Sequence, residues 1–124
     1  MVSEALRLFA GHRYLNLESY RRNGKPVRTP LWFVETEGRL YVRTADTAGK
    51  VKRIRHNPRV RVVPSDYRGR PKGDWVDAAA RIVAGEEAER ANRLLIRKYG
   101  LLRKLIDLGI WLRRLGHVVI AVES

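Results

Sequence analysis

The stretch RLYVRTADTAGKVKRIRHNP, residues 39–58, predicts a β-strand that runs directly into a helix. The first turns of that helix carry Lys50, Lys52 and Arg53. A helix N-terminus already has partial positive charge and free backbone N–H groups, so each cation there costs about 0.3 kcal/mol or more unless an anion is nearby. The stretch therefore predicts a helix that binds a phosphate.

Length and charge limit the classes of protein to consider. The chain has 124 residues, of which 44% are hydrophobic, and this predicts one domain, residues 1–124, with an ordinary core. There are 26 Lys and Arg against 13 Asp and Glu, which gives a formal charge of +13. Such a surface favours anionic partners, but the charge alone does not distinguish nucleic acid, a charged cofactor and an anionic membrane.

Cysteine and histidine usage argues against several chemistries. The sequence has no cysteine, which excludes disulfides, thiolate metal sites and cysteine nucleophiles. His12, His56 and His117 are isolated in sequence, so no metal site is expected. The N-terminal segment MVSEALRLFAGHRYL lacks the charged start and long apolar core of a secretory signal, and we expect a cytoplasmic protein.

The pattern along the chain predicts six strands and three helices. Alternation and β-branched content place strands at residues 14–20, 27–36, 40–44, 59–64, 75–84 and 117–123. Asn23-Gly24 predicts the first hairpin turn. We expect the first helix to be capped by Asp46 or Thr47 and to end at Asn57-Pro58. The other two helices are predicted at residues 86–99 and 101–115.

Antiparallel strands with few intervening helices favour a barrel, because a parallel sheet needs a helix between successive strands. In the fourth predicted strand, Arg59 and Arg61 alternate with Val60 and Val62, which we expect to point inward. The sequence therefore predicts a mainly β fold. It is a six-stranded antiparallel split β-barrel with a phosphate-facing helix and two C-terminal helices.

Four motifs, in this order and spacing, resemble a known family. They are YLNLESYRRNGKPVRTPLWFV, RLYVRT followed by GKVKRIRHNPRVRV, WVDAAARIV and EEAERANRLLIRKYG. Together they resemble the flavin-binding split barrels related to pyridoxamine 5′-phosphate oxidase, and within them the deazaflavin-dependent oxidoreductases that use coenzyme F420. The resemblance covers nearly the whole chain, from Tyr14 through Val122.

The resemblance implies which residues contact the cofactor ring. In the family, the strand equivalent to RTPLW, residues 28–32, lies along the isoalloxazine-like ring. The Thr-Pro pair of that strand faces the pyrimidine edge of the ring. The resemblance therefore implies ring contacts at Thr29, Pro30 and Trp32 of this sequence.

The resemblance also implies a phosphate site. Arg43 and Thr44 at a strand end and Gly49 and Lys50 at the helix start match the region that holds the cofactor phosphate, and Arg53, one turn on, is a second candidate. The chain departs from the oxidase pattern at Gly49, where an arginine is expected beside the lysine. Loss of that bidentate contact weakens the case for FMN and favours F420, whose phosphodiester continues into an acidic oligoglutamate tail.

The resemblance implies an F420-dependent oxidoreductase that transfers a hydride between the deazaflavin and a small organic substrate. FMN is the alternative cofactor, and the family also implies a homodimer with a cofactor site at the subunit interface. Because hydride chemistry belongs to the cofactor, no catalytic residue is assigned. Tyr14, Tyr20, Trp32 and Tyr67 are candidates for a substrate wall or proton donor, although aromatic residues of small barrels also belong to the core.

Three other functions stay open. The charge and the arginine-bearing strand allow single-stranded nucleic acid to bind, although the pattern shows no run of exposed aromatic residues. A cofactor carrier would share every binding feature and differ only in turnover. Peripheral membrane contact is the third, since the segment LLRKLIDLGIWLRRL combines basic residues with an apolar stripe of Leu101, Leu105, Leu108, Leu112 and Leu115. Core packing would produce the same stripe.

Overall fold

A computed structural model describes residues 4–45, 47–99 and 117–124. The chain forms three helices and seven strands in this part of the sequence. In chain order they are α1 (Glu4–Arg7), β1 (Tyr14–Tyr20), β2 (Pro26–Trp32), β3 (Val34–Thr36), β4 (Arg39–Ala45), α2 (Gly49–His56), β5 (Arg59–Ser65), β6 (Val76–Val83), α3 (Gly85–Tyr99) and β7 (His117–Glu123). The helix predicted at residues 101–115 lies outside the described residues.

All strands belong to one antiparallel sheet with the order β2-β1-β5-β6-β7-β4-β3. The sheet curls into a half-barrel, and the last strand, β7, lies between β6 and β4. The curl also brings β2 against β4. The predicted mainly β, antiparallel split-barrel class is therefore confirmed.

The sheet has seven strands where the sequence predicted six. The predicted strand at 27–36 is divided at Phe33, which is fully buried between β2 and β3. The hydroxyl of Tyr99 accepts a hydrogen bond from the backbone N–H of Phe33 at 2.8 Å and lies 2.6 Å from its carbonyl oxygen. Since a side chain on α3 satisfies both backbone groups of Phe33, the ladder is interrupted at this residue.

The main core lies on the concave side of the curled sheet, which we call the inner face. It is formed by alternate residues of five strands, by one side of α2 and by the N-terminal segment. Its buried members are Leu6, Phe9, Leu15, Leu17, Phe33, Leu40, Val42, Val51, Ile54, Val60, Val62, Ala80, Ile120 and Val122. The predicted inward positions of Val60 and Val62 are thus confirmed.

A second core lies on the opposite side of the sheet, the outer face, where α3 packs. It consists of Val34, Tyr41, Val83, Ala91, Leu95, Val119 and Ala121. One residue of this cluster, Tyr41, also donates a hydrogen bond to Oε2 of Glu87 at 2.8 Å, which ties the start of α3 to β4. The N-terminal helix α1, which the sequence pattern did not predict, packs on the inner side through Leu6.

No side chain of the described residues caps the start of helix α2. Its N-cap is Ala48, with φ −62° and ψ 141°, which makes no side-chain capping bond. The predicted cap at Thr47 is therefore wrong, and Asp46 lies outside the described residues. The helix ends as predicted, where the N–H of Asn57 bonds the carbonyl of Arg53 at 2.7 Å. A helix start that no described side chain caps, and whose first turn has no acidic residue, favours an external anion.

Candidate cofactor site

The end of β4 and the start of α2 form one wall of the site. Thr44 lies on the inner face of β4, on the same side of the strand as the core residues Leu40 and Val42. Arg43 lies on the outer face, as Tyr41 does, so the strand separates the two residues that the sequence grouped together. Of this pair, only Thr44 shares the inner face with the start of α2.

Lys50 reaches back from α2 to this strand. Its Nζ donates a hydrogen bond to Oγ1 of Thr44 at 3.2 Å. The side chain is half-buried, and this burial, together with the neighbouring Arg53, lowers the pKa of Lys50. A cation under these conditions gains more than an exposed one from an anionic partner, because burial strengthens the interaction.

Arg53 lies one turn further along α2 and contacts β1. Its Nε donates a hydrogen bond to Oγ of Ser19 at 2.8 Å. Burial and the neighbouring Arg21 lower the pKa of Arg53. Among the described residues, no carboxylate forms an ion pair with Lys50 or Arg53. Two adjacent cations that repel one another without an acid between them fit a bound anion such as a phosphate.

A cavity of about 550 Å³ opens beside Arg53, and we call it the basic cavity. Lys50 is not one of the residues that line it. The cavity lies between α2 and the turn that joins β1 to β2. The described residues that line it include no acid and are Tyr20, Arg21, Arg22, Gly49, Lys52, Arg53, Arg55 and His56. The donor set suits a ligand with more than one anionic group, because each charge finds a separate cation.

The predicted ring contacts do not share one face of β2. Thr29 pairs with Leu17 and lies on the inner face, next to Leu31, which packs on the core. Pro30 and Trp32 point to the other side of the strand, which is exposed. The structure thus places Thr29 on the face that Arg53 and Ser19 share, and it separates Pro30 and Trp32 from them.

Trp32 belongs to a second cavity, of about 430 Å³. The ring of Trp32 stacks on that of Tyr99, with centroids 4.8 Å apart and an angle of 14° between the planes. The ring centroid of Tyr14 lies 6.5 Å from that of Trp32. Arg13 and Lys98 are the basic residues in the lining of this cavity, and burial lowers the pKa of the Lys98 amine to about 8. Its Nζ donates to the carbonyl of His12 at 2.6 Å. This cavity can accept a flat ring, but its geometry is separate from that of the cationic pair.

The remaining aromatic candidates lie at the surface rather than in the core. Tyr20 donates to Oε1 of Glu18 at 2.6 Å, and burial and this bond raise the pKa of Tyr20 to about 12. Glu18 is itself buried on the outer face, where Arg28 binds it at 2.8 Å. Tyr67 is 61% exposed. With its pKa at about 12, Tyr20 is a poor proton donor at neutral pH.

Sequence reasoning missed Ser19, Lys98 and Tyr99. The alternation in residues 14–20 predicts only that Ser19 belongs to a strand, and no local signal marks one buried serine as the partner of a distant arginine. Lys98 and Tyr99 lie at the end of a predicted helix. Only the packing of α3 against the segment around Phe33 brings them to the cavity.

The described residues contain no cluster of three or more His, Asp or Glu side chains that could hold a metal ion. None of the helices in residues 4–45, 47–99 and 117–124 is long and apolar enough to cross a membrane.

Solved structures share this fold, and three of them are compared with this chain below. A Listeria innocua protein provisionally named as a pyridoxamine 5′-phosphate oxidase is 19% identical, with a TM-score of 0.66 over 96% of this chain and 89% of that protein. The heme storage protein HutZ from Vibrio cholerae is 17% identical, with a TM-score of 0.63 over 100% and 91%. An F420-H2 dependent reductase is 20% identical, with a TM-score of 0.65 over 90% and 94%. At these identities the likeness establishes the fold alone.

The sequence itself gives the family. No curated protein matches this chain significantly. Residues 1–114 match the family model described as pyridoxamine 5′-phosphate oxidase. That match spans most of the chain and confirms the resemblance inferred from the motifs. The chain therefore belongs to the pyridoxamine 5′-phosphate oxidase family.

Proposed function

We propose that this protein is an F420-dependent oxidoreductase that transfers a hydride between the deazaflavin and a small organic substrate. One observation carries the proposal. Among the described residues, neither Lys50 nor Arg53 has a carboxylate partner, and the residues that line the basic cavity beside Arg53 include no acid. Family membership and a structural neighbour named as an F420-H2 dependent reductase support the same cofactor class.

Each residue has a defined part in this proposal. Lys50 and Arg53 bind the cofactor phosphate, and Thr44 orients the amine of Lys50 through their hydrogen bond. Thr29 lies on the same inner face and is the proposed ring contact. F420, when bound, supplies the hydride chemistry, and the protein supplies position and exclusion of water.

The basic cavity favours F420 over FMN. FMN ends in a single phosphate, whereas the phosphodiester of F420 continues into several carboxylates. The cavity offers Arg21, Arg22, Lys52 and Arg55 beyond the two phosphate cations. Charge-assisted hydrogen bonds contribute about 1.5 to 3 kcal/mol each, so two or three of them with ring contacts are enough for micromolar binding.

We also propose that the active form is a homodimer and that the second subunit completes the substrate pocket. Strand β2 is an edge strand that is half-exposed along its whole length. An exposed edge with apolar residues is suited to cover by a second copy. Peripheral membrane contact through residues 101–115 stays a prediction, since that segment lies outside the described residues.

A fluorescence titration tests the cofactor class. The purified protein is titrated with F420, with FMN and with single-stranded DNA, at low and moderate salt. Micromolar or tighter binding of F420 with weaker binding of FMN is the expected result. Preference for FMN would favour an FMN-dependent oxidase or reductase of the same family. Binding of DNA alone, with steep salt dependence, would contradict the proposal and indicate a nucleic-acid-binding barrel.

The binding result alone does not separate an enzyme from a cofactor carrier. Reduced F420 bound to the protein is therefore mixed with a panel of small electron acceptors, and its reoxidation is followed by absorbance. Acceptor-dependent reoxidation that is faster with the protein than without it is expected. Tight binding without any acceleration across the panel would instead indicate a carrier.

A further inference from the structure

Gly49, at which the sequence departs from the oxidase pattern, lies in one arrangement with Ser19 and Arg53. Gly49 and Arg53 are four positions apart on α2, so both lie on one face of the helix. Ser19 comes from β1, and its Oγ accepts the hydrogen bond of Arg53 Nε at 2.8 Å. A serine and a glycine from two different elements thus contact the same arginine.

The guanidinium of Arg53 occupies the space that a side chain at position 49 would need. A Cβ atom at Gly49 would lie 2.8 Å from Nη1 and 3.7 Å from Cζ of Arg53. The first distance is shorter than real Cβ contacts, so a side chain at position 49 requires the guanidinium, the far end of a flexible side chain, to shift. Gly49 has no positive φ, so backbone conformation does not explain why a glycine lies here. The missing side chain leaves space for the guanidinium of Arg53, and this space does explain the glycine.

The same geometry leaves the outer nitrogens of Arg53 available. Ser19 uses Nε, and no hydrogen bond joins Nη1 or Nη2 to a described residue. Ser19 is almost fully buried, so it fixes the position of the side chain from the protein interior. The two outer nitrogens lie over Gly49 at the rim of the basic cavity. A planar pair of donors in that position matches two oxygens of one phosphate.

We propose that Gly49 and Ser19 are positioning residues that hold Arg53 as the bidentate phosphate contact, in place of the arginine expected at position 49. The guanidinium reaches the site from one helical turn further along, and the missing side chain at 49 is the condition for its approach. This inference rests on the proposed function, because it assigns the residues that orient the phosphate contact. It also makes position 49 a determinant of which cation the phosphate meets.

Gly49→Ala is the first test, because it separates ligand binding from folding. Alanine is a better helix former than glycine, so we expect an unchanged or higher melting temperature. Displacement of the guanidinium should weaken F420 binding about tenfold. Ser19→Ala should have a similar effect, and Ser19→Thr, which keeps the hydroxyl, should restore most of the affinity. A purely structural role for Gly49 or Ser19 would move the melting temperature instead.

A double-mutant cycle tests whether Gly49 acts through Arg53. In the Arg53→Ala background, Gly49→Ala should have no further effect on affinity, because the group that it displaces is absent. Gly49→Arg combined with Arg53→Ala should regain part of the lost affinity, because the guanidinium then comes from position 49. Arg97→Ala, an exposed arginine on α3 outside the cavities described above, controls for loss of one charge. Additive effects of Gly49→Ala and Arg53→Ala would overturn the inference.

Inorganic pyrophosphate is the second probe, because it carries phosphates without a ring. Wild-type protein should bind it more tightly than Gly49→Ala and Arg53→Ala do, in calorimetric titrations. If pyrophosphate follows this order but F420 does not bind, the proposed cofactor is wrong and the assignment of the phosphate contact stands. If F420 binds equally to wild type and Gly49→Ala, the cofactor class stands and the inference is wrong. Failure of the wild type to bind either probe overturns both.

Discussion

At the scale of single residues, the candidate phosphate site is marked by two cations that have no acidic partner among the described residues. Lys50 and Arg53 are partly buried cations: burial and the charge of Arg53 lower the pKa of Lys50, and burial and the charge of Arg21 lower the pKa of Arg53. Elsewhere the protein neutralises such groups, as with Glu18, which binds Arg28 and lies near Arg61. The absence of an equivalent acid for Lys50 and Arg53 among the described residues is therefore a property of this location rather than of the whole surface.

Lys50→Ala should weaken F420 binding tenfold or more, about 1.4 kcal/mol, without unfolding the protein. The proposed phosphate loses one cation, whereas among the described residues the side chain of Lys50 bonds only Thr44, so its removal leaves no buried charge unpaired. Fluorescence titration gives the affinity, and circular dichroism confirms the fold. Lys72→Ala removes the same charge from an exposed loop and should change the affinity little. Equal affinities of Lys50→Ala and wild type would contradict the phosphate assignment.

At the scale of elements, side chains of α3 attach the helix to the sheet at both of its ends. At its start, Glu87 accepts two hydrogen bonds from Arg81 of β6, at 2.9 and 2.8 Å, and one from Tyr41 of β4. At its end, the hydroxyl of Tyr99 joins the helix to the backbone of Phe33 and lies 2.7 Å from the carbonyl oxygen of Arg13. The break between β2 and β3 depends on the second attachment.

Glu87→Gln should remove a pH-dependent part of the stability. Hydrogen bonds from Arg81 lower the pKa of Glu87 from 4.5 to about 2. Because the folded-state pKa is lower than the unfolded one, the charged form stabilises the fold above pH 4.5, and this contribution is lost as the pH falls from about 4.5 to 2. Urea unfolding of wild type and variant across this range should therefore show converging stabilities. Glu86→Gln, which changes the exposed neighbour, is the control. If the stabilities of wild type and Glu87→Gln ran parallel across this pH range, the contribution assigned to Glu87 would be refuted.

Tyr99→Phe should lower the free energy of unfolding by about 1 to 3 kcal/mol, because the buried N–H of Phe33 loses its partner. Urea denaturation measures the change. Tyr67→Phe removes a hydroxyl from a residue that is 61% exposed and should have little effect. A neutral result for Tyr99→Phe would mean that water or another group satisfies the Phe33 backbone.

At the scale of the whole molecule, a formal charge of +13 surrounds a partly buried cationic site. Screening by salt acts on exposed charges more than on buried ones. A ligand whose anionic groups extend over the surface is therefore more salt-sensitive than one whose single phosphate lies at Lys50 and Arg53.

Raising the salt concentration from about 0.05 to 0.5 M should weaken F420 binding more than FMN binding, because the oligoglutamate tail interacts with exposed cations. Fluorescence titrations at several salt concentrations give the two slopes. An F420 analogue without the tail should show the shallower slope of FMN. Equal slopes for F420 and FMN would mean that the tail does not contact the basic cavity.

Local pattern was sufficient for much of this fold. Alternation in residues 59–64 predicted Val60 and Val62 in the core, and Asn23-Gly24 predicted the turn between the first two strands. The run of cations after the third predicted strand predicted a helix that requires an anion. These features depend on neighbours two to four positions apart, and a sequence shows such spacing directly.

The sequence by itself determined the antiparallel barrel class, the family and the cationic start of α2. The tertiary structure alone decided that Ser19 holds Arg53, that Tyr99 divides a predicted strand at Phe33 and that Arg43 and Thr44 point to opposite faces within the folded sheet. The first two contacts join residues 34 and 66 positions apart. Packing of the whole chain sets such distances, and no periodicity records them. The proposed phosphate site therefore depends on the fold, which shows which side chains meet Arg53.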